Sequence, residues 1–441
     1  MKAAFHTLGC KVNSYETQAV LEQFRAASFE IVDFTQPADV YVINTCSVTQ
    51  TAGHKSRQMI GRARRLNPDA VIVAAGCYAQ EEPDRLSGID PDLIIIGNNH
   101  KNEIVPIVLS VLKNRHSENV LSDMLRCRDF EEQRITGHEE STRAYIKIQD
   151  GCDRFCSYCV IPYLRGRSRC RDEANILEEA AGLAASGYKE LVITGIDISS
   201  YDGLGHLAQE LNRIEGLQRI RFGSFEVSMI TQEFLTQIKA CEKVCPHFHL
   251  SLQSGCDTVL KRMNRKYSTC EYAAAVDLIR EFYSNPGITT DIIVGFPGES
   301  EEEFEQTLDF AGKIGFTQAH VFKFSARQGT RAAEMPDQIP AQVKAQRSAR
   351  LIELTDALQH SYEDSLIGTE QSVLLEDLCT DSNGINYFTG YTPQYVRIAV
   401  QTEGSAGPRN NDVVPVKVEG RKPIAGEEIL FGCKKSKNLL T

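Results

Sequence analysis

Tryptophan is absent from the 441 residues, and that absence alone excludes nothing. Other absences are more telling. No apolar run reaches the ~20 residues of a membrane span, so no membrane partner is expected. Positive charge is not in excess: 48 Lys and Arg stand against 59 Asp and Glu, a formal net charge of -11. Any contact with RNA must therefore come from local basic patches and not from a global field. The opening Met1-Lys2-Ala3-Ala4-Phe5-His6-Thr7 turns polar too soon for a secretory signal. Fourteen cysteines in a chain this long do not resemble a small secreted disulfide scaffold. A cytoplasmic, reducing location is expected, with thiols available for metal. The length corresponds to roughly three domains.

What is present centres on Cys152, Cys156 and Cys159, in the run Asp150-Gly151-Cys152-Asp153-Arg154-Phe155-Cys156-Ser157-Tyr158-Cys159. Thiolates at C-x3-C-x2-C spacing hold three corners of a four-iron (4Fe-4S) cluster and leave the fourth iron open to a ligand. No fourth cysteine follows at once to close the set as in bacterial ferredoxins; Cys170 lies further on. The alternatives are a zinc knuckle or three separately buried thiols. Zinc would need a fourth ligand nearby, and three cysteines crowded after a Gly turn are not expected to be buried independently. An aromatic before the last cysteine, Tyr158, gives the loop the look of radical S-adenosylmethionine (SAM) enzymes.

The first part of the chain alternates strand and helix. Strands are expected at 3–8, 39–44, 70–75 and 92–96, and helices at 14–27, 52–66 and 103–112. Unbroken apolar strands alternating with helices argue for an open parallel sheet covered on both faces. Cys10, Cys46 and Cys77 each follow a strand, at the edge where such sheets bind ligands. Isolated cysteines are usually small buried hydrophobes. Three at one topological position, two of them directly after Gly, instead predict a second three-cysteine site.

A polar, acidic stretch at 117–141 is read as a linker between residues 1–116 and a second alternating region, 142–368. Its strands are expected at 145–149, 190–194, 219–224, 247–252, 290–294 and 319–324, with helices such as 175–185 and 272–282 between them. Ser300 and Glu303 form a capping box. Six units imply an incompletely closed parallel barrel, with the Cys152 loop at its carboxyl-terminal mouth. After a helix near 341–366 the pattern changes to short strands at 371–375, 387–390, 395–400, 413–418 and 427–431. These predict a small all-β barrel over 369–434.

This order resembles the methylthiotransferase family of radical SAM enzymes, with its three-cysteine α/β domain, partial (β/α)6 radical SAM barrel and terminal TRAM-like barrel. The resemblance covers nearly the whole chain. It is carried by Leu8-Gly9-Cys10-Lys11-Val12-Asn13, Asn44-Thr45-Cys46, His249-Leu250-Ser251-Leu252-Gln253-Ser254-Gly255, Met263-Asn264-Arg265-Lys266-Tyr267 and Asp291-Ile292-Ile293-Val294-Gly295-Phe296-Pro297-Gly298-Glu299. Lys11-Val12-Asn13 most resembles the branch acting on N6-threonylcarbamoyladenosine at position 37 of tRNA; an isopentenyladenosine or a ribosomal-protein aspartate is the alternative substrate. Phe324-Ser325-Ala326-Arg327-Gln328-Gly329-Thr330-Arg331 departs from the family pattern. The resemblance implies two 4Fe-4S clusters, one SAM as methyl donor and another as radical source, tRNA as substrate, and a reductant such as a flavodoxin or ferredoxin. A C2–H bond is neither acidic nor electrophilic, so radical hydrogen abstraction is the chemistry that can replace it. A non-catalytic iron-sulfur RNA-binding or electron-carrier protein is the alternative of another class. Such a carrier would not need a second open cluster, a large barrel and an RNA module together.

Expected cofactor contacts at the strand ends are Gly195, Asp197, Ser224, Glu226 and Gln253, with Arg265 in the Asn-Arg-Lys-Tyr run; for each, the bland alternative is a structural hydrogen bond. Gly295 and Gly298 lack the Lys-Ser/Thr of a phosphate loop and are read as a turn. Two stretches free of acid carry basic residues beside the cysteines: Lys55, Arg57, Arg62, Arg64 and Arg65, then Arg154, Arg165, Arg167, Arg169 and Arg171. Arg57, Arg62, Arg64, Arg65, Arg165 and Arg167 are the candidates for RNA. Tyr387, Phe388, Tyr391 and Tyr395 are candidates for base stacking or for core. Cys241, Cys245, His247 and His249 have the residue types of a zinc site, though a helix end feeding a strand is the favoured reading. Cys127, Cys170, Cys256, Cys270, Cys379 and Cys433 have no assigned role.

Overall fold

The computed structural model describes residues 1–47, 50–114, 119–137, 141–401 and 409–434. Its first sheet is five-stranded and wholly parallel. Glu30–Val32 forms one edge, followed by Lys2–Thr7, Val40–Thr45, Val71–Gly76 and Ile94–Ile96. Alternate residues serve opposite faces. Val40 and Val42 pack with Val20 and Phe24 of helix Lys11–Ala26 and with Val108 of helix Ile104–Asn114. Tyr41 and Ile43 pack with Ile60 and Ala63 of helix Gln50–Leu66. Covering on both faces is why these strands read as unbroken apolar runs. Glu30–Val32 had no sequence signal, being one exposed and two half-buried residues at an edge.

Residues 117–118 and 138–140 of the stretch expected as a linker lie outside the described residues, and the rest is pinned to its neighbours. Val120 bridges Ile96 as an added rung, Met124 is buried, and Ile135 enters the central core. Tyr15 of the first helix donates to the carbonyl of Gln133 at 2.7 Å.

The central region holds six parallel strand positions in chain order, the third split at Gly223 into two strands. Ala144–Lys147, Glu190–Thr194 and Arg219–Phe222 form one ladder; Ser224–Phe225, His247–Leu250, Gly287–Val294 and Gln318–Lys323 form another. The chain passes between ladders at Gly223, and an Ile220–Val244 bridge ties them. Among the described residues the last strand does not pair with the first, so the barrel is open on that side. Reciprocal capping boxes start two of its helices, at Ser268/Glu271 and Ser300/Glu303.

Helix Ala341–Asp364 leads into a closed barrel of Glu370–Thr380, Asn386–Tyr391, Arg397–Gln401, Val413–Ile424 and Glu427–Lys434. Arginines of the central region hold this barrel in place. Arg219 donates to the carbonyls of Tyr391 and Ser372, each at 2.8 Å, and Arg221 to that of Pro393 at 2.8 Å, while Glu190 accepts from Arg221. Tyr391 and Tyr395 stack at 4.6 Å, Tyr395 also stacks on His247, and Arg143 covers both tyrosines. Of the two readings of these residues the packing one fits: Tyr391 and Tyr395 glue two regions together, and Tyr387 is fully buried. No helix among the described residues is long and apolar enough to cross a membrane.

Candidate active site

Strand register brings the first three cysteines together. Thr7 lies opposite Asn44, and Asn44 opposite Ala75, so three parallel strands end at one level. Cys10 caps helix Lys11–Ala26, Cys46 follows its strand directly, and Cys77 opens helix Cys77–Glu81. The three loops are laced. Asn13 donates to the carbonyls of Leu8 and Thr45 at 2.8 and 3.0 Å. The Thr45 hydroxyl donates to Ala75 O and accepts from Ala79 N. Gly9 sits so close to Cys46 that a β-carbon there would lie 2.9 Å from its Sγ. Cys10 is open to solvent, yet burial among surrounding protein raises its thiol pKa, with Cys77 adding to the rise and Arg165 opposing it.

Gly76 makes the turn into Cys77 at φ 93° and ψ -164°, a region open essentially to glycine alone. A β-carbon would stand 2.3 Å from Asn44 Oδ1 and 2.7 Å from Thr45 O. Gly76→Ala is expected to lose about 1–3 kcal/mol from backbone strain alone, with the clash adding to it. Urea unfolding measures the loss; an unchanged midpoint would contradict the argument.

The second triad hangs from the first central strand. Cys152 N donates to Gly166 O, and the loop is clamped against 262–264. Ser157 Oγ donates to Arg262 O at 2.8 Å, and Asn264 Nδ2 to Phe155 O at 2.9 Å. Cys152, Cys156 and Cys159 line one cavity of about 170 Å³ with Arg154, Asp197, Ser224, Glu226, Ser251 and Arg265. Arg265 donates to Cys156 Sγ at 3.2 Å and to Glu226 at 2.7 Å; Arg154 pairs with Asp197 at 3.0 Å. Burial pushes the Cys152 and Cys159 thiols up to about 12. As free thiols both are protonated at neutral pH, so metal binding there releases protons.

A second cavity, of about 240 Å³, adjoins the first through Tyr158, Cys159 and Ile161. Gln253, Asp291, Ile293, Phe322, Phe324 and Arg327 also line it. Of the expected cofactor contacts, Asp197, Ser224, Glu226 and Arg265 thus share one cavity and Gln253 lines the other. Gly195 lines neither; a β-carbon there would lie 3.0 Å from Gln149 O and Oε1. Gln149 Oε1 in turn accepts from the Asp197 amide at 2.7 Å, which aims that loop at the cavity. Arg154, Asp291 and Arg327 were missed. Only strand alternation (His249, Asp291 and His320 share a face) could have flagged Asp291.

The two triads adjoin. Cys77 packs on Val160 and Leu164, just beyond Cys159, and lies near enough to raise the Cys159 pKa. Arg327 makes a two-pronged pair with Glu81 of the Cys77 helix at 2.6 and 2.8 Å, closing the second cavity toward the first triad.

The basic candidates divide. Arg165 has no exposed surface and cannot meet RNA; Arg64 is taken by Asp90 and by the carbonyls of Pro68 and Ala70. Ala70 precedes a strand start, so Arg64 lies at the sheet edge away from the cysteines. Both assignments are corrected. Arg57 hydrogen-bonds Tyr78, Arg62 is half-buried, and Arg65 and Arg167 are exposed. At the zinc alternative the histidines have protein partners: His247 and His249 both hydrogen-bond Thr289 Oγ1 at 3.0 Å, and His249 also faces Asp291.

The fold and the cysteine loop define a radical SAM enzyme. Residues 146–311 match the Radical SAM superfamily, and residues 2–97 match Uncharacterized protein family UPF0004. Solved structures share the fold: the radical SAM methyltransferase TsrM of Kitasatospora setae aligns with TM-score 0.57 and 16% identity, over 75% of this chain and 77% of that one. The threonylcarbamoyladenosine tRNA methylthiotransferase MtaB of Bacillus subtilis is 40% identical over 94% of this chain and 93% of its own, and that of Aquifex aeolicus 38% over 85% and 93%. The tRNA-2-methylthio-N(6)-dimethylallyladenosine synthase of Acetivibrio thermocellus is 33% identical over 88% and 82%. The chain belongs to the radical SAM tRNA methylthiotransferase family.

Proposed function

We propose that this chain replaces the C2 hydrogen of N6-threonylcarbamoyladenosine, at position 37 of tRNA, with a methylthio group. The observation that carries this is the pair of adjoining three-cysteine sites, in a chain 40% identical to a threonylcarbamoyladenosine tRNA methylthiotransferase over nearly its full length. Cys152, Cys156 and Cys159 would hold one 4Fe-4S cluster, and Cys10, Cys46 and Cys77 a second. When bound at the former, a reduced cluster would supply the single low-potential electron for cleaving SAM.

This chain's own side chains do the rest. Glu226, Ser224 and Asp197 offer acceptors to the amino and hydroxyl groups of SAM. Arg265 steadies the Cys156 thiolate, and Tyr158 closes the cavity wall between SAM and substrate. The adjoining cavity, with Phe322, Phe324, Gln253 and Asp291, receives the nucleobase. Exposed Arg65 and Arg167 and half-exposed Arg57 offer charge to the RNA backbone. A flavodoxin or ferredoxin supplies electrons, and the reaction runs in the cytoplasm.

The test is nucleoside mass spectrometry of tRNA from cells lacking the protein. The expected result is loss of 2-methylthio-N6-threonylcarbamoyladenosine with accumulation of its unthiolated precursor. Loss of a methylthio-isopentenyladenosine instead would move the substrate to the sister branch. Persistence of every methylthio-nucleoside, with no second enzyme to supply it, would end the tRNA assignment.

A further inference from the structure

Between the two triads lies a buried, charged layer that the proposed chemistry does not use. Arg165 donates to Glu16 at 2.9 and 3.1 Å, to Asp150 at 3.0 Å and to Asn13 Oδ1 at 2.7 Å. Lys147 pairs with Glu16 and Asp150, each at 2.7 Å; Lys101 pairs with Glu16 at 3.1 Å; and Arg169 stands 3.9 Å from Asp150. All six side chains are at most 6% exposed.

The layer does not balance. Four cations, Lys101, Lys147, Arg165 and Arg169, face two carboxylates, Glu16 and Asp150, leaving two positive charges in excess among the described residues. Buried ions are costly unless compensated, so an anion belongs beside them. The surplus is directed at the first triad. Asn13 Oδ1, which accepts from Arg165, lies 3.8 Å from Cys10 Sγ, and Asn98 Nδ2 lies 3.8 Å from Cys77 Sγ while its Oδ1 accepts from Lys101 at 3.0 Å. Each thiol is therefore one asparagine away from a buried cation. Arg165 Nε, buried, finds no hydrogen-bond partner among the described residues. The other triad differs, since its neighbouring Arg154 and Arg265 are neutralised by Asp197 and Glu226.

We infer that these four cations are the built-in counter-charge of an anionic iron-sulfur cluster at Cys10, Cys46 and Cys77, and that Arg165 is the positioning residue that sets its reduction potential. Three thiolates outweigh an oxidised four-iron core by one charge and a reduced core by two, so the surplus favours the reduced form. Net charge and hydrogen bonds around the sulfurs are established determinants of cluster potential. The inference rests on the two-cluster proposal above.

The test is a redox titration followed by electron paramagnetic resonance, on full-length protein reconstituted with iron and sulfide. Cys152, Cys156 and Cys159 are replaced by Ala, so that only the first site reports. Adding Arg165→Gln is expected to shift the one-electron equilibrium at least tenfold toward the oxidised form, about 59 mV downward; Arg165→Lys should restore most of that. If the background protein binds no iron, the two-cluster proposal itself fails. If it binds iron and Arg165→Gln moves the equilibrium less than about twofold, or Arg165→Lys shifts it as far as Gln does, the counter-charge assignment alone fails. Should circular dichroism show that Arg165→Gln does not fold, Lys101→Gln, acting through Asn98, is titrated in its place and decides by the same criteria.

Discussion

Replacing Cys152, Cys156 and Cys159 together with alanine is expected to leave half of the wild-type iron and no detectable 5′-deoxyadenosine from SAM. In the proposed assignment the two sites draw their ligands from separate elements. Cys10, Cys46 and Cys77 come from three strand ends whose loops are cross-linked by Asn13 and Thr45. None of those bonds involves the Cys152 loop, so the first site should survive loss of the second. The reciprocal replacement of Cys10, Cys46 and Cys77 should also leave half the iron but preserve SAM cleavage, because the cavity of Asp197, Glu226 and Arg265 is intact. Methylthio transfer should disappear in both. Iron analysis and chromatography of 5′-deoxyadenosine read these outcomes directly. Loss of all iron in either variant, or of none, would contradict two independent sites.

The second large effect is on stability. Glu16→Gln removes one of the two carboxylates that hold four buried cations, and removing one partner of a buried pair costs about 3–5 kcal/mol. Urea unfolding should show that loss; a change below about 1 kcal/mol would mean that the layer is far wetter than its burial implies. The pH dependence follows with a definite sign. Burial pushes the Glu16 carboxyl up, but Arg165, Lys101 and Lys147 outweigh it and hold the group well below the usual carboxylate range. Asp150 is likewise depressed, burial being overcome by Lys147 and Arg165. A depressed folded pKa means that the unfolded chain takes up protons first as pH falls. The stabilisation is therefore complete above the unfolded carboxylate value near 4, and is lost as pH drops toward the folded values. Wild-type stability should fall steeply below about pH 4, and Glu16→Gln should flatten that slope.

Much of the scaffold was legible because burial on both faces leaves a plain mark. Val40–Thr45 is buried at every position and was read as a strand within one residue at each end. The six central strands, the capping box at Ser300 and the five C-terminal strands were found by the same logic of apolar runs and breakers. Helix starts were less well placed. The first helix begins at Lys11 and not at Ser14, because Cys10 caps it without a side-chain hydrogen bond and so carries no capping signal. The arginines were legible only as charge. Arg165 and Arg167 look alike in sequence, yet one has no exposed surface and the other lies in solvent against Asp153.

Residue types and spacing were enough to mark six thiols as two sets and to place the parallel strands that carry them, since those depend on local pattern; the chemistry came from the resemblance to a family. Tertiary structure alone could assign Arg165 to the interior, place Tyr391 and Tyr395 at an interface between two regions, and put Glu16 beside Asp150. Glu16 and Arg165 are 149 positions apart, and nothing local marks an ion pair whose halves come from two distant helices. A charged side chain reads as surface until the fold supplies the opposite charge that makes burying it affordable.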